Sequence, residues 1–434
     1  MRNDARGLAV SGATGEVIEA IDRFTLDLIG ARDEAAAMLD VAERHPECAL
    51  VQAYAAALHA YSQSQAEIHT EGRRFLDRAQ ATATRVTERE QALIAAVAAW
   101  LAADFQASID LHERMASEWP QDVVAAKFAE FLFYLAPDYH RHLRFMQGVA
   151  AANADLSDFK AMHAFALELA GDYRRAEEVA NQAIEQKLHT PWAHHALAHV
   201  HLNEGRIDEG IAVQRRFQPT WDAHMLTIRS HNSWHLALLH LARLEFDPVR
   251  ELYRARVAGV QPDAVVEHTD AISLLWRVEL AGGTVTDEWA PLAERIIPRA
   301  NEQLFPFLSA HYVYCLARGG RTQEAAAALA LIRRFAQQQT GHNAYVWREV
   351  GMPLAEGCIA FAHGDHAGAV QRLEPIQEAL FCVGGSDAQN DLFRQTYLLA
   401  LIESKQRGKA ADLLARRRGR RPPTPLEDRW SSRL

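Results

Sequence analysis

"AADFQASIDLHERMASEWPQDVVAAKFAEFLFYLAPDY", residues 102–139, spans one full period of the chain. It opens on "AADF" and closes on "APDY", and the device returns as "AGDY" at 170–173 and "EGRI" at 204–207, so that Phe105, Tyr139, Tyr173 and Ile207 stand 34 residues apart. A bulky residue straight after a short turn signal starts a helix that packs inward. A fixed period over several copies means that each copy is one supersecondary unit stacked on the next. Three residues further on come Ser108, His142, Ala176 and Gly210, mostly small, as two closely crossing helices require. Pro120 ends the first unit, and Pro191 after Thr190 opens a later helix as a first-turn proline behind a good cap.

The period loosens on both sides. Phe246 follows Ile207 after 39 residues, and later turns read "RGGRTQEA" (318–325 region), "HGDHAGA" (363–369) and "QRGKAA" (406–411). Upstream, "RDEAAAMLDVAERHPECALVQAYAAALHAYSQSQ" keeps the rhythm of helix, proline, helix, and no stretch alternates with the period of a strand. The pattern resembles tetratricopeptide repeats. It predicts an all-α, tetratricopeptide-like α-solenoid of stacked antiparallel helix pairs in a right-handed superhelix. The expected organisation is a flexible start at 1–18, a single solenoid over 19–415 with regular repeats at about 89–222, and a basic, Pro-rich tail at 416–434 that adds little to the fold.

Bulk composition narrows the function classes. The 434 residues are 49% hydrophobic and 24% charged, with a net charge of -10, which argues against phosphate-neutralising contact with nucleic acid. The longest apolar run, "ALIAAVAAWLAA" at 92–103, is shorter than the ~18 residues of a membrane span, so no membrane partner is expected. The start lacks the apolar core of a secretory signal. Cys48, Cys315, Cys358 and Cys382 are widely spaced, which suits neither a disulfide framework nor a thiolate zinc site and points to a reducing cytoplasm. No phosphate-binding loop, nucleophile elbow or dinucleotide fingerprint occurs.

The segments "AAKFAEFLFYL" (125–135), "AHVH" (198–201), "SHNSWH" (230–235), "REVGMPL" (348–354) and "GGSDAQNDLF" (384–393), in this order, resemble the tetratricopeptide repeat protein 38 family over about residues 20–415. The resemblance implies an all-helical repeat fold and a cytosolic protein. It implies no activity.

Histidine is the compositional anomaly, at 21 residues, and it concentrates in "TPWAHHALAHVHLNEG" (190–205) and "RSHNSWHLALLH" (229–240). In peptide-binding tetratricopeptide repeats the first helix of each unit lines a concave groove with its second, fifth, sixth, ninth and twelfth or thirteenth residues. Counting Gly205 as the fifteenth puts His195 fifth and His199 ninth; anchoring on Phe246 puts His231 second, Trp234 fifth and His235 sixth. Each pair, 195/199 and 231/235, is four residues apart and shares a helix face. His194, His201 and His240 fall at places that pack between helices. Trp192 adds an aromatic wall, Asp158 and Glu168 add carboxylates, Lys127 adds a cation, and His311 falls near a sixth place in its own unit.

These positions leave several chemistries open. Neutral imidazoles at this spacing suit a divalent transition metal, with His195, His199, His231 and His235 as candidate ligands, although "HHALAH" lacks the glutamate of the H-E-x-x-H protease signature. They also suit a pocket that hydrogen-bonds a ligand or moves a proton near neutral pH, or plain packing residues. No resident cofactor is otherwise expected. The leading expectation is a cytosolic repeat protein that binds a peptide, a protein or a small ligand in a His/Trp-lined groove. The alternative is an enzyme using His195, His199, His231 and His235 on a small molecule, with or without a metal. "GGSDAQND" reads as a capped turn or an anion site, and Arg348 in "REVGMPL" as a brace between helices.

Overall fold

The computed structural model describes residues 1–419 and 421–434. Arg420, within the expected tail, lies outside them. The chain is all-α and tetratricopeptide-like. The one departure among the described residues is a minimal antiparallel hairpin in which Arg2–Asn3 pairs with Ala9–Val10, where the sequence predicted no sheet.

The bulky residues that set the period each open the second helix of a pair. The helices Phe105–Glu118, Tyr139–Val149, Tyr173–Gln186, Ile207–Phe217 and Phe246–Leu252 begin on them. The preceding aspartate is the reason in three cases. Asp104, Asp138 and Asp172 each accept a hydrogen bond from the backbone N–H three residues on, at Ala107, Arg141 and Arg175 (3.1, 2.9 and 3.3 Å), which satisfies a donor the helix leaves unpaired. The turns before them use left-handed backbone, as at Gly171 (φ +85°) and Gly205 (φ +70°).

The chain divides into two compact units, residues 1–196 with 220–228 and residues 197–219 with 229–434. In the first, the helices Glu88–Leu101, Val123–Leu135 and Ser157–Leu169 each precede one of the period helices. Its N-terminal residues are docked rather than flexible. Leu8 and Val10 are buried, and Glu90 accepts from the Ser11 N–H (3.0 Å) and hydroxyl (2.6 Å). Arg89, ion-paired with Asp122 at 2.7 Å, also donates to the Ala9 carbonyl. Small third-place residues let helices cross closely. The Ser108 hydroxyl donates to the Ala96 carbonyl at 2.8 Å, and His142, the large exception, lies stacked on Phe133.

This unit buries neutral histidines, and that has a pH consequence. Burial pulls His112 down to about 4 and His142 and His194 down to about 3. Because each folded pKa lies below the unfolded value of about 6.5, the unfolded chain takes up protons first, so stability is full above that pH and drains as pH falls toward 4. Acid unfolding of the full chain followed by tryptophan fluorescence is therefore expected to begin between about pH 6 and 4, above the ordinary carboxylate range. A flat baseline down to pH 4 would contradict it.

The second unit continues with the pairs Val265–Leu280/Thr286–Ile296, Pro306–Arg318/Thr322–Gln338, Met352–Ala362/His366–Leu373 and Asp387–Glu403/Arg407–Arg418. Before Met352 the backbone widens into a π turn over Tyr345–Gly351, ahead of Pro353, which has no N–H for the helical ladder. Arg348 in that turn donates to the carbonyls of Ala336, Gln337 and Gln339, bracing the end of the neighbouring helix. None of the helices is long and apolar enough to cross a membrane among the described residues.

The segment beyond 415 corrects the expectation of a loose tail. The Arg407–Arg418 helix runs into it, and Pro425–Ser431 forms a further helix capped by Thr424 and Glu427. Trp430 is 1% exposed and its indole N–H donates to the Leu280 carbonyl at 2.9 Å. The arginines that suggested a solvated end are engaged: Arg417 with Asp391 and Glu427, Arg421 with Glu427 and Arg418 with Asp428. Pro422 lies so close to Gly205 that a Cβ there would meet its carbonyl oxygen at 3.0 Å.

Candidate functional site

The helix Leu226–Ala242, in the second unit from Arg229 on, presents Trp234 and His235 three and four residues after His231, hence on its face. His231 stacks on Trp234, with ring centroids 5.1 Å apart, and His235 stands edge-on to both at 4.8 and 4.7 Å. The ring of His199, from the helix Pro191–Glu204, lies 4.5 Å from His235. The three imidazoles thus form a row, with His235 in the middle.

A carboxylate closes each end of the row. His231 Nδ1 lies 3.0 Å from both oxygens of Asp270, on the helix Val265–Leu280. His199 Nδ1 lies 3.1 Å from Asp387 Oδ1, while Asn203 donates to Asp387 Oδ2 at 2.7 Å. A carboxylate only accepts, so the proton of each ring sits on Nδ1 and the Nε2 lone pair is left as the basic position. His199, His235 and Trp234 are fully buried, and Asp270 is 1% exposed.

The two carboxylates are pushed in opposite directions. Burial raises Asp270 more than His231 lowers it. At Asp387 burial also raises the group, but the bonds from His199 and Asn203 outweigh it and hold the carboxyl below its ordinary value. Asp387 is further fixed at the first turn of the helix Asp387–Glu403, where it accepts from the Ala388 N–H at 2.7 Å and the helix dipole favours its charge. That turn is capped by its own side chains: Ser386 accepts from the Gln389 N–H and Gln389 from the Ser386 N–H. Of the two readings of "GGSDAQND", this is the capped turn.

His311 is buried among Phe307, Phe393 and Trp276, with Nδ1 donating to the Phe307 carbonyl at 2.8 Å, and burial lowers it to about 4. In the first unit, Lys127 is buried in an ion pair with Glu130 and its ammonium sits 4.0 Å over the Trp192 ring; Trp192 and Phe165 both meet the ring of His195. Asp158 is instead ion-paired with Lys187 at 2.7 Å, near Gly30, and Glu168 is buried on the same helix as Asp158.

The three histidines assigned to packing are held by local partners. His194 accepts from the Trp221 indole and donates to the Leu188 carbonyl. His240 lies between Glu245 and Arg215. His201 packs on Gly210, where a Cβ would stand 2.9 Å from the His201 Cβ. Asp270, Asp387 and Asn203 are the site residues that sequence reasoning missed. Asp270 follows His231 by 39 residues, the length of the local repeat, so the equivalent place in the next unit was the available signal.

No family model matches the chain. Among solved structures it is similar to a human IFIT1 dimer with PPP-AAAA (12% identity, 98% of this chain and 91% of that one, TM-score 0.39). It is likewise similar to a monomeric IFIT1 mutant with Gppp-AAAA (12%, 96% and 99%, TM-score 0.41). A third is Naa15/Naa10 bound to HypK-THB (12%, 96% and 64%, TM-score 0.26). Likeness at this level does not extend to a shared ligand.

Proposed function

We propose that the second unit holds an acid–base site for a small polar ligand, and that the chain is an enzyme acting through it. The observation that carries this is the row of three imidazoles closed at both ends by carboxylates. A general base needs a basic nitrogen and a partner that stabilises the cation it becomes; Nε2 of His199 is that nitrogen and Asp387 that partner. Opposite shifts on the two carboxylates support a division of labour, with the proton accepted at the His199 end and the His231–Asp270 pair holding charge less readily. The burial of His199, Trp234 and His235 favours a small molecule over a polypeptide, which would have to displace side chains the chain already packs there.

A second reading rests on the same orientation. A histidine that ligates a metal also donates its other N–H to a carboxylate, so His199 and His231 suit a divalent transition metal at Nε2. Stoichiometric zinc, iron, nickel or copper in protein purified without an affinity tag or chelator would move the reading to metal-assisted chemistry. The resemblance to the tetratricopeptide repeat protein 38 family and the four free thiols support a reducing, cytoplasmic setting.

The direct test needs no substrate. Long-range proton–nitrogen spectra of the imidazoles are expected to show Nδ1–H rings at His199 and His231. Asp387→Asn should remove that preference at His199 alone, and Asp270→Asn at His231 alone. Nε2–H rings in the unaltered protein would sink the assignment.

A further inference from the structure

Arg277 is 2% exposed, and among the described residues it forms no ion pair. Its Nη2 donates to the carbonyls of Ala388 and Gln389, but Nε and Nη1 are buried and find no acceptor there. A guanidinium whose Nε–H and Nη1–H groups are unmatched is costly to bury, because its charge loses water and no carboxylate among the described residues pairs with it directly. Desolvation pulls even this group down to about 10. Asp391, whose charge acts on it, is already committed to Arg417 through two bonds.

The surroundings of Arg277 belong to the imidazole row. Its guanidinium carbon lies 5.6 Å from the Trp234 ring centre, over the ring that His231 and His235 flank. The Trp234 indole N–H is likewise buried without an acceptor among the described residues, as is the Ser273 hydroxyl. On the helix Val265–Leu280, Asp270, Ser273 and Arg277 follow at offsets of three and four and share one face, the face by which Asp270 holds His231. Two arginine nitrogens, one indole and one hydroxyl therefore stand beside the row as surplus donors, next to a positive charge that no carboxylate among the described residues pairs with directly.

We propose that Arg277 and Trp234 form the anion-binding half of this site, taking one carboxylate or phosphate group of the ligand. This rests on the acid–base reading above and deepens it: the ligand is a small acid whose anionic group is held at Arg277 while the neighbouring imidazoles act on another part of it. An oxyanion supplies acceptors to the fork geometry of the guanidinium and removes the cost of its burial.

The test is calorimetric titration of the full chain with inorganic phosphate and, separately, with acetate, at ionic strength held constant by chloride. Saturable binding of one probe per chain is expected; phosphate alone would assign a phosphate ester, acetate alone a carboxylic acid. Arg277→Gln should weaken binding on the order of 10- to 100-fold, the usual loss for a charge-assisted hydrogen bond, while keeping or raising the melting temperature of the free protein. Trp234→Phe, which keeps an aromatic ring but loses the N–H along with the five-membered ring that carries it, should weaken binding roughly fivefold and guards against a misfolded arginine variant. Absence of saturable binding by either probe, or wild-type binding by both variants, overturns the proposal. The failures of the two readings differ: Nδ1–H imidazoles without anion binding leave the acid–base site and remove this inference, and Arg277-dependent binding with Nε2–H imidazoles does the reverse.

Discussion

Cutting the chain at Arg416 is expected to lower the melting temperature by about 10 °C or more. The cut removes Trp430, whose buried indole is bonded to the Leu280 carbonyl, together with Leu426 and the capped helix Pro425–Ser431. Emptying a buried tryptophan site costs about 3–5 kcal/mol. It also removes Arg417, which with Arg277 draws Asp391 far below the usual carboxylate range against the effect of burial. Taking the arginine from this half-buried carboxylate costs roughly another 1.5–3 kcal/mol at neutral pH. Trp430→Ala alone should give about half of the loss, on the same magnitudes. Differential scanning calorimetry of both forms is the measurement, and an unchanged transition after truncation would restore the picture of a solvated tail.

Misjudging that tail has a definite physical cause. Arginine and proline density describes composition, whereas docking was written in a short local signal: Thr424, Pro425, Leu426 and Glu427 spell a capping box with a first-turn proline, followed by Trp430 on the same face. The fold was legible from the recurrences because turn, aspartate cap and bulky first residue act within a few positions of one another. The flexible start was misread for the same reason as the tail, since Ser11 is fixed by Glu90, 79 residues on, and no local pattern carries that pairing. The imidazoles of the site were legible by their four-residue spacing. Their carboxylates were less so: Asp387 meets His199 across 188 residues, although it stood within one of the quoted segments.

Replacing His199 or His235 by alanine is expected to remove turnover almost entirely, by about 10²- to 10⁴-fold, the range for loss of a positioned acid or base. The measurement is proton uptake or release in a pH-stat, run with a panel of small carboxylic acids and phosphate esters against the full chain. Stability should fall modestly at His235, which leaves a small cavity, and further at His199, whose loss also takes a hydrogen-bond donor from Asp387. His240→Ala is the contrast: it leaves Glu245 and Arg215 without their shared partner, so it should lower the melting temperature and leave turnover near wild type. Asp387→Asn supplies the decisive comparison, since it preserves shape while taking away the charge that fixes His199. If His199 and Asp387 act as one base, the double variant His199→Ala with Asp387→Asn loses no more than His199→Ala alone, because a unit is removed once. Additive losses would mean that the carboxylate serves packing, and wild-type turnover in either histidine variant would mean that the row is not the reacting group.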